Sequence, residues 1–157
     1  MPLDGGEREQ AMSNVEQAVA TFGQGFNCAQ AVVSAYAPSL GLDRALALKL
    51  AGPFGGGIGR RGDICGAVTG ALMALGLKYG AVSGSDAEGK KRCYEITNEF
   101  IRRFRQRNAS IVCRDLLGLD LGTPEGAKLA LERKVHTEVC PRFIRDAAEI
   151  LDEMLSP

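Results

Sequence analysis

The sequence lacks a net charge, an N-terminal export signal and an apolar run long enough to span a membrane. Nineteen lysine and arginine residues balance nineteen aspartate and glutamate residues in a chain of 157, so no overall field attracts nucleic acid or an anionic membrane. The longest uncharged apolar run, residues 64–77, is too short for a bilayer-spanning helix. No charged and then apolar leader opens the chain. We therefore expect a cytoplasmic protein that binds neither nucleic acid nor membrane.

The sequence also lacks the apolar and polar alternation that is typical of β-strands. Hydrophobic residues make up 45% of the chain, which is enough to bury the core of one domain, and they recur at helical spacing between glycine and proline breaks. There is no repeat of fixed period and no low-complexity linker. These patterns predict an all-α, single-domain compact bundle of about six to seven helices over residues 1–157, with residues 1–6 flexible.

Capping and turn residues predict where the helices begin and end. Asn27 and Gln30 match a capping box, and Ser85 and Glu88 match another. Pro124 lies at a first helical position, where its missing N–H costs nothing. The predicted helices are Glu7 to Phe22, Cys28 to Ala37, Asp43 to Ala51, Asp63 to about Tyr79, Ser85 to about Arg107, a short turn capped by Ser110 and ending by Gly118, a helix from Thr123, and, after a break at 135–139, a last helix from Pro141.

A glycine-rich loop precedes the helix that we expect at the centre of the bundle. Five glycines in residues 55–62 allow positive φ and close approach of the backbone to another group. Asp63 is a good N-cap for the helix that follows, which would place Cys65 in its first turn. Along that helix, small residues four apart form a groove that favours close helix packing over a flat cofactor: Gly66, Gly70 and Ala74.

Five cysteines carry the candidate chemistry. Four of them lie at predicted helix N-termini, where unpaired N–H groups and the helix dipole favour a thiolate and lower its pKa: Cys28, Cys65, Cys113 and Cys140. Four such positions in one chain indicate redox or metal chemistry. Cys93 instead lies in the apolar stripe of a long helix, where we expect it to be buried as a small hydrophobic residue.

The spacing of these four cysteines excludes several familiar sites. The gaps of 37, 48 and 27 residues contain no CxxC and no CxxCH, which excludes a zinc ribbon, a thioredoxin motif, a bacterial ferredoxin run and covalent haem attachment. Four separated thiols can still converge if their helix N-termini point to a common centre.

Such a centre has three interpretations. We favour an iron–sulfur cluster bound by all four cysteines in a redox or electron-transfer protein. The alternative is a thiol–disulfide oxidoreductase or redox sensor in which Cys65 attacks and Cys28 is the second catalytic cysteine. A zinc-stabilised interaction domain has the same need for four thiolates.

Three other features of the sequence are weaker candidates for a functional role. His136 is the only histidine and lies four residues before Cys140, but Pro141 favours a helix boundary there. Asp63 is interpreted as a cap and not as a base. The glycine loop resembles a phosphate cradle, yet it has no GxxxxGK[ST] sequence and no preceding strand.

The chain closely resembles a family of redox-active proteins named for its cysteine pattern, C_GCAxxG_C_C. The first cysteine matches Cys28 and the central motif matches residues 65–70, Cys-Gly-Ala-Val-Thr-Gly. The last two match Cys113 and Cys140, and the resemblance covers about residues 15–155. It implies a small helical redox protein with a metal centre, in a family whose members are found near oxidoreductase or transport functions. We expect a redox partner or oxidoreductase for this chain, and the sequence leaves open whether the four thiols meet within one chain or across a homodimer. It assigns no role to Cys93.

Overall fold

Short capping motifs set the helix boundaries of the computed structural model, which describes residues 12–156. The α-helices are α1 (Asn14–Gly23), α2 (Cys28–Tyr36), α3 (Arg44–Ala51), α4 (Gly66–Tyr79), α5 (Ala87–Asn108), α6 (Cys113–Leu117), α7 (Pro124–Glu132), α8 (Val135–Glu138) and α9 (Cys140–Leu155). Two 3₁₀ turns span Pro38–Leu40 and Gly52–Phe54. Over the described range the only β pairing is one isolated antiparallel bridge, between Ile64 and Val112. The predicted all-α, single-domain fold is confirmed. Helix α6, of five residues, corresponds to the short turn predicted after Ser110, and α8, of four residues, was not predicted.

Helix α4 lies at the centre of the bundle, as predicted. Its buried residues are Gly66, Ala67, Val68, Gly70, Ala71, Ala74 and Leu75. The main core adds residues of α1, α2, α5 and α9, including Phe100 and Ile144, which are fully buried. The hydroxyl of Tyr36 on α2 donates to the backbone oxygen of Ala148 on α9 at 2.8 Å, so the two helices are also joined by a buried hydrogen bond.

Close contact between the backbones of α2 and α4 explains the groove of small residues. A Cβ added at Gly70 would lie 2.5 Å from the backbone oxygen of Ala29, and one added at Gly66 would lie 2.9 Å from the Ala29 nitrogen and from Cys28 Cβ. Only a residue without a side chain permits this approach. The groove is therefore occupied by another helix, and the packing interpretation is correct.

Several predicted caps are confirmed by the hydrogen bonds of the described residues. Gln30 N donates to Asn27 Oδ1 at 2.9 Å, and Asn27 N donates to Gln30 Oε1 at 2.9 Å, which completes the capping box of α2. Thr123 Oγ1 accepts from Gly126 N at 3.0 Å, and Pro124 occupies the first turn of α7.

Other predicted boundaries are wrong for local reasons. Helix α4 has Cys65, not Asp63, as its N-cap, because the backbone of residues 62–65 pairs with residues 111–114. The N-cap of α5 is Asp86 and not Ser85, since the Asp86 carboxylate accepts from Gly89 N at 2.9 Å. The N-cap of α6 is Val112, and the hydroxyl of Ser110 instead accepts from Val112 N at 3.0 Å.

The structure also differs from the prediction just before and at the start of the last helix. The predicted break at 135–139 contains α8, and the last helix begins at Cys140 instead of Pro141. Helix α1 begins at Asn14 behind a Ser13 capping box, while the predicted start at Glu7 and the predicted flexible residues 1–6 fall outside the described range. No helix between residues 12 and 156 has both the length and the apolar character needed to cross a membrane.

Two glycines of α4 provide a test of the packing. Gly70→Ala should lower the free energy of unfolding by about 1–3 kcal/mol, because its methyl group meets the backbone of Ala29. Gly76→Ala should raise it by roughly 0.5–1 kcal/mol, since nothing lies within 4 Å of the added Cβ and alanine favours the helix. Urea unfolding of the metal-free, reduced variants measures both values. Equal effects of the two substitutions would contradict the packing described.

Candidate functional site

Residues before α6 pair with the loop before α4 and hold two cysteines in place. Cys65 N donates to the backbone oxygen of Ile111 at 2.8 Å, and Cys113 N donates to the backbone oxygen of Asp63 at 2.6 Å. These bonds lie on either side of the antiparallel bridge. They fix the N-termini of α4 and α6 beside each other, although the two cysteines are far apart in the sequence.

The glycine-rich loop has an unusual left-handed backbone that fits against Cys113. All residues from 56 to 60 have positive φ, including Ile58 at 66° and Arg60 at 64°. A Cβ added at Gly57 would lie 2.6 Å from Asp63 N and 2.8 Å from Cys113 Cβ. Glycine at this position therefore serves both the backbone conformation and the close contact.

A cavity of about 560 Å³ lies where the N-termini of α2, α4, α6 and α9 meet. Its lining includes all four predicted site cysteines: Cys28, Cys65, Cys113 and Cys140. The structure thus brings the four together around one space. Cys93 on α5 does not line the cavity, and the prediction that it is buried is wrong, because it is partly exposed.

Most of the remaining lining is apolar, and its charge is of one sign. The apolar side chains are Pro53, Phe22, Phe26, Leu116, Leu117, Leu121 and Phe143. Arg60 and His136 also line the cavity, whereas no aspartate or glutamate does so within the described part of the chain. Because Cys65, Cys113 and Cys140 are buried while Arg60 and His136 are exposed, the thiols form the floor and the two basic residues form the rim.

A helix boundary separates His136 in α8 from Cys140 in α9, as expected from Pro141. Two other lining residues, Phe22 and Phe26, are not predicted from the sequence as site residues. The one signal in the sequence is that Phe26 lies just before Cys28. That signal is weak, because an apolar residue before an N-cap usually indicates helix packing.

Burial reverses the pKa shift that the helix N-termini predict for most of the thiols. Burial raises the pKa of Cys65 to about 11, against an opposing effect of the N–H groups of Ala67 and Val68. Burial also raises the pKa of Cys113 to about 12, with a further contribution from the neighbouring thiols. The predicted lowering is therefore wrong for both, because losing water destabilises a thiolate more than the helix end stabilises it.

Cys28 and Cys140 both line the cavity, and their thiols shift each other's pKa. Interaction with Cys140 raises the pKa of Cys28, and burial raises it further. Interaction with Cys28 lowers the pKa of Cys140, as the sequence predicts for that residue. In the reduced protein, Cys140 is therefore the member of this pair that ionises more readily.

The four thiols are not arranged around one point. Between residues 12 and 156, no group of three or more histidine, cysteine, aspartate or glutamate side chains has an arrangement that could hold a metal ion. A four-thiolate zinc site would need sulfur atoms at about 2.3 Å from one ion. The cysteines instead line a cavity of about 560 Å³.

Fold and site together define an all-α protein with four buried or partly buried cysteines around one cavity. A family model described as "Putative redox-active protein (C_GCAxxG_C_C)" matches residues 26–154. The chain belongs to this family, and the matched range contains all four cavity cysteines. No curated protein and no solved structure matches the chain.

Two glycines of the loop test its contact with Cys113. Gly57→Ala and Gly59→Ala both place a side chain at positive φ, which costs about 1–2 kcal/mol. Only Gly57→Ala adds a clash with Cys113, because nothing lies within 4 Å of a Cβ at position 59. Urea unfolding should show the larger loss for Gly57→Ala, and its Cys113 should react faster with a thiol reagent. Indistinguishable variants would show that the loop does not support Cys113.

Alkylation of the metal-free, reduced protein tests the thiol pKa values. At pH 8, iodoacetamide should modify Cys140 before Cys65 and Cys113, because only a thiolate reacts and the pKa values of the latter two are about 11 and 12. Their rates should rise about tenfold per pH unit between pH 8 and 10. Peptide mass spectrometry resolves each cysteine. Reaction of Cys65 ahead of Cys140 would contradict the assignment.

Proposed function

We propose that this chain is a redox or electron-transfer protein whose four cysteines bind an iron–sulfur cluster. The observation that carries the proposal is the single cavity lined by Cys28, Cys65, Cys113 and Cys140, each at the start of a different helix. Four cysteine thiolates are the usual ligands of such clusters. Membership of a redox-active family agrees with this chemistry.

The chemistry of the cavity wall fits a thiolate-bound cluster. Gly56 and Gly57 line the cavity, and their N–H groups donate to no protein oxygen in the described part of the chain. Successive N–H groups in such a left-handed turn form a concave site for anions, including the sulfur atoms of clusters. Carboxylates, which suit harder metals, are missing from the lining found within residues 12–156.

Loading the cavity would change both the protonation and the positions of the thiols. Metal binding requires thiolates, and burial keeps Cys65 and Cys113 protonated at neutral pH. Each binding step would therefore release protons. The sulfur atoms also need to turn toward the cavity centre, since no group in the described residues is already arranged for a metal ion.

The surrounding residues have distinct roles in this proposal. The cluster, when bound, supplies a centre that accepts and releases one electron. Phe22 and Phe143 limit access of water to the thiolates. The N–H groups of Gly56 and Gly57 would stabilise negative charge on sulfur, which raises the reduction potential of such a centre.

Serine variants of two cysteines test the ligand assignment. In protein purified without oxygen, Cys65→Ser should lose most bound iron, acid-labile sulfide and visible absorption, because one ligand is removed. Cys93→Ser is the matched control and should retain all three, since Cys93 does not line the cavity. Far-ultraviolet circular dichroism establishes that both variants fold. Equal retention in the two variants would overturn the proposal that Cys65 is a ligand.

Thiol–disulfide exchange is a second candidate because Cys28 and Cys140 line the same cavity and their thiols interact. The lowered pKa of Cys140 makes it the better nucleophile, in place of Cys65, whose pKa is about 11. The Cys140 thiolate would attack one sulfur of a substrate disulfide and release the other as a thiolate. Cys28 would then lose its proton, attack the Cys140 sulfur and release the second substrate thiolate. The protein becomes a Cys28–Cys140 disulfide while the substrate is reduced.

Oxidised glutathione provides the test of this second candidate. Metal-free, reduced protein should form a Cys28–Cys140 disulfide, which peptide mapping detects. Cys140→Ser should abolish it, and Cys93→Ser should not. A disulfide between Cys65 and Cys113, or glutathione adducts without an internal disulfide, would contradict the assigned pair.

A further inference from the structure

The positive charge at the rim of the cavity is that of Arg60, and it has no neutralising carboxylate among the described lining residues. Arg60 and His136 both line the cavity, and the lining contains no aspartate or glutamate within residues 12–156. Arg60 forms no ion pair with any carboxylate of the described residues, whereas its neighbour Arg61 lies 3.5 Å from Asp63. An unpaired guanidinium beside an apolar cavity is a strong binding group for an anion.

The backbone holds Arg60 in place at this rim. Arg60 has a left-handed φ of 64°, and its N–H donates to the backbone oxygen of Gly55 at 3.0 Å. A Cβ added at Gly56 would lie 2.9 Å from Arg60 Cα and Cγ, so the stem of the arginine side chain lies directly against that glycine. A left-handed conformation is uncommon for a residue other than glycine and often marks a functional position.

An aromatic surface adjoins the same part of the rim. The rings of Phe22 and His136 have centroids 6.2 Å apart and are tilted by 44°. Arg60 lines the same cavity as His136, and its charge contributes, after burial, to lowering the pKa of His136. Phe26 lines the cavity as well. The rim therefore combines a cation with flat apolar surfaces.

We propose that this cavity binds a small organic anion, with its carboxylate, sulfonate or phosphate on Arg60 and its apolar body against Phe22 and Phe26. The volume of about 560 Å³ lies within the range of about 300–1,000 Å³ that is typical of small-molecule sites. That this anion is a substrate of the redox centre rests on the proposed function. Its binding to the cavity does not, because Arg60 and the two phenylalanines are present with or without a cluster.

A charged ligand and its neutral analogue test this proposal. Naphthalene-2-sulfonate and naphthalene-2-sulfonamide have nearly the same shape, so their difference in affinity reports the charge. Isothermal titration calorimetry on protein purified without oxygen should show the sulfonate binding at least about 10-fold more tightly, as expected for a charge-assisted hydrogen bond. In the metal-free protein, the sulfonate should also shift the imidazole proton resonance of His136, which is assigned at once because it is the only histidine.

Arginine variants locate the binding group. Arg60→Gln should remove the preference for the sulfonate, and Arg60→Lys should retain part of it. Arg61→Gln is the matched control and should behave as the unmodified protein, since Arg61 does not line the cavity and pairs with Asp63. Circular dichroism and thermal unfolding verify that each variant folds.

The outcomes separate this proposal from that of the cluster. Equal affinity for the two naphthalenes, or an equal loss in Arg60→Gln and Arg61→Gln, overturns the anion site and leaves Arg60 as a surface charge or a counter-charge to the thiolates. A sulfonate preference that disappears only in Arg60→Gln supports the site, whether or not iron is present. Iron and sulfide analysis of the same samples tests the cluster independently.

Discussion

The contact of Gly66 and Gly70 with the backbone of Ala29 is the constraint on which the site depends. Because neither glycine has a side chain, α4 crosses α2 at close range, and the starts of the two helices lie together. This brings Cys28 beside the α4 N-cap. The bridge to residues 111–114 then adds Cys113, and packing of α9 on α1, α2, α4 and α5 adds Cys140. Four cysteines from distant parts of the chain thereby surround one cavity.

Burial makes Cys65 and Cys113 less reactive at neutral pH than their positions at helix N-termini alone would. In the reduced protein without a ligand, the high pKa values of Cys65 and Cys113 keep both as neutral thiols, which can be buried at little cost. Binding of a metal would require both thiols to lose their protons, and the N–H groups of the glycine-rich loop could stabilise the resulting negative charge. The two cysteines are thus uncharged without a metal and would be thiolates with one. Arg60 at the rim supplies the opposite charge for a ligand or for the thiolates.

Features that depend on local sequence could be predicted, and features that depend on distant pairing could not. Helical periodicity and the Asn27–Gln30 capping box indicated the fold and the start of α2, because both act over a few residues. The choice of Asp63 as N-cap failed because residues 62–65 pair with a segment nearly fifty positions later, and no local pattern encodes that pairing. The predicted direction of the Cys65 pKa shift was wrong for a related reason, since burial in a shared cavity is a property of the folded chain. The left-handed conformation of Arg60 could not be predicted from the sequence, because residues other than glycine seldom adopt it.

Alkylation of the protein purified without oxygen, before and after removal of metal, tests whether Cys28, Cys65, Cys113 and Cys140 together bind a cluster. Iron and acid-labile sulfide are determined on the same sample. We expect iron together with sulfide, four cysteines that are protected until the metal is removed, and a Cys93 that reacts throughout. Zinc without sulfide, or four cysteines that react equally in both states, would contradict the proposed cluster.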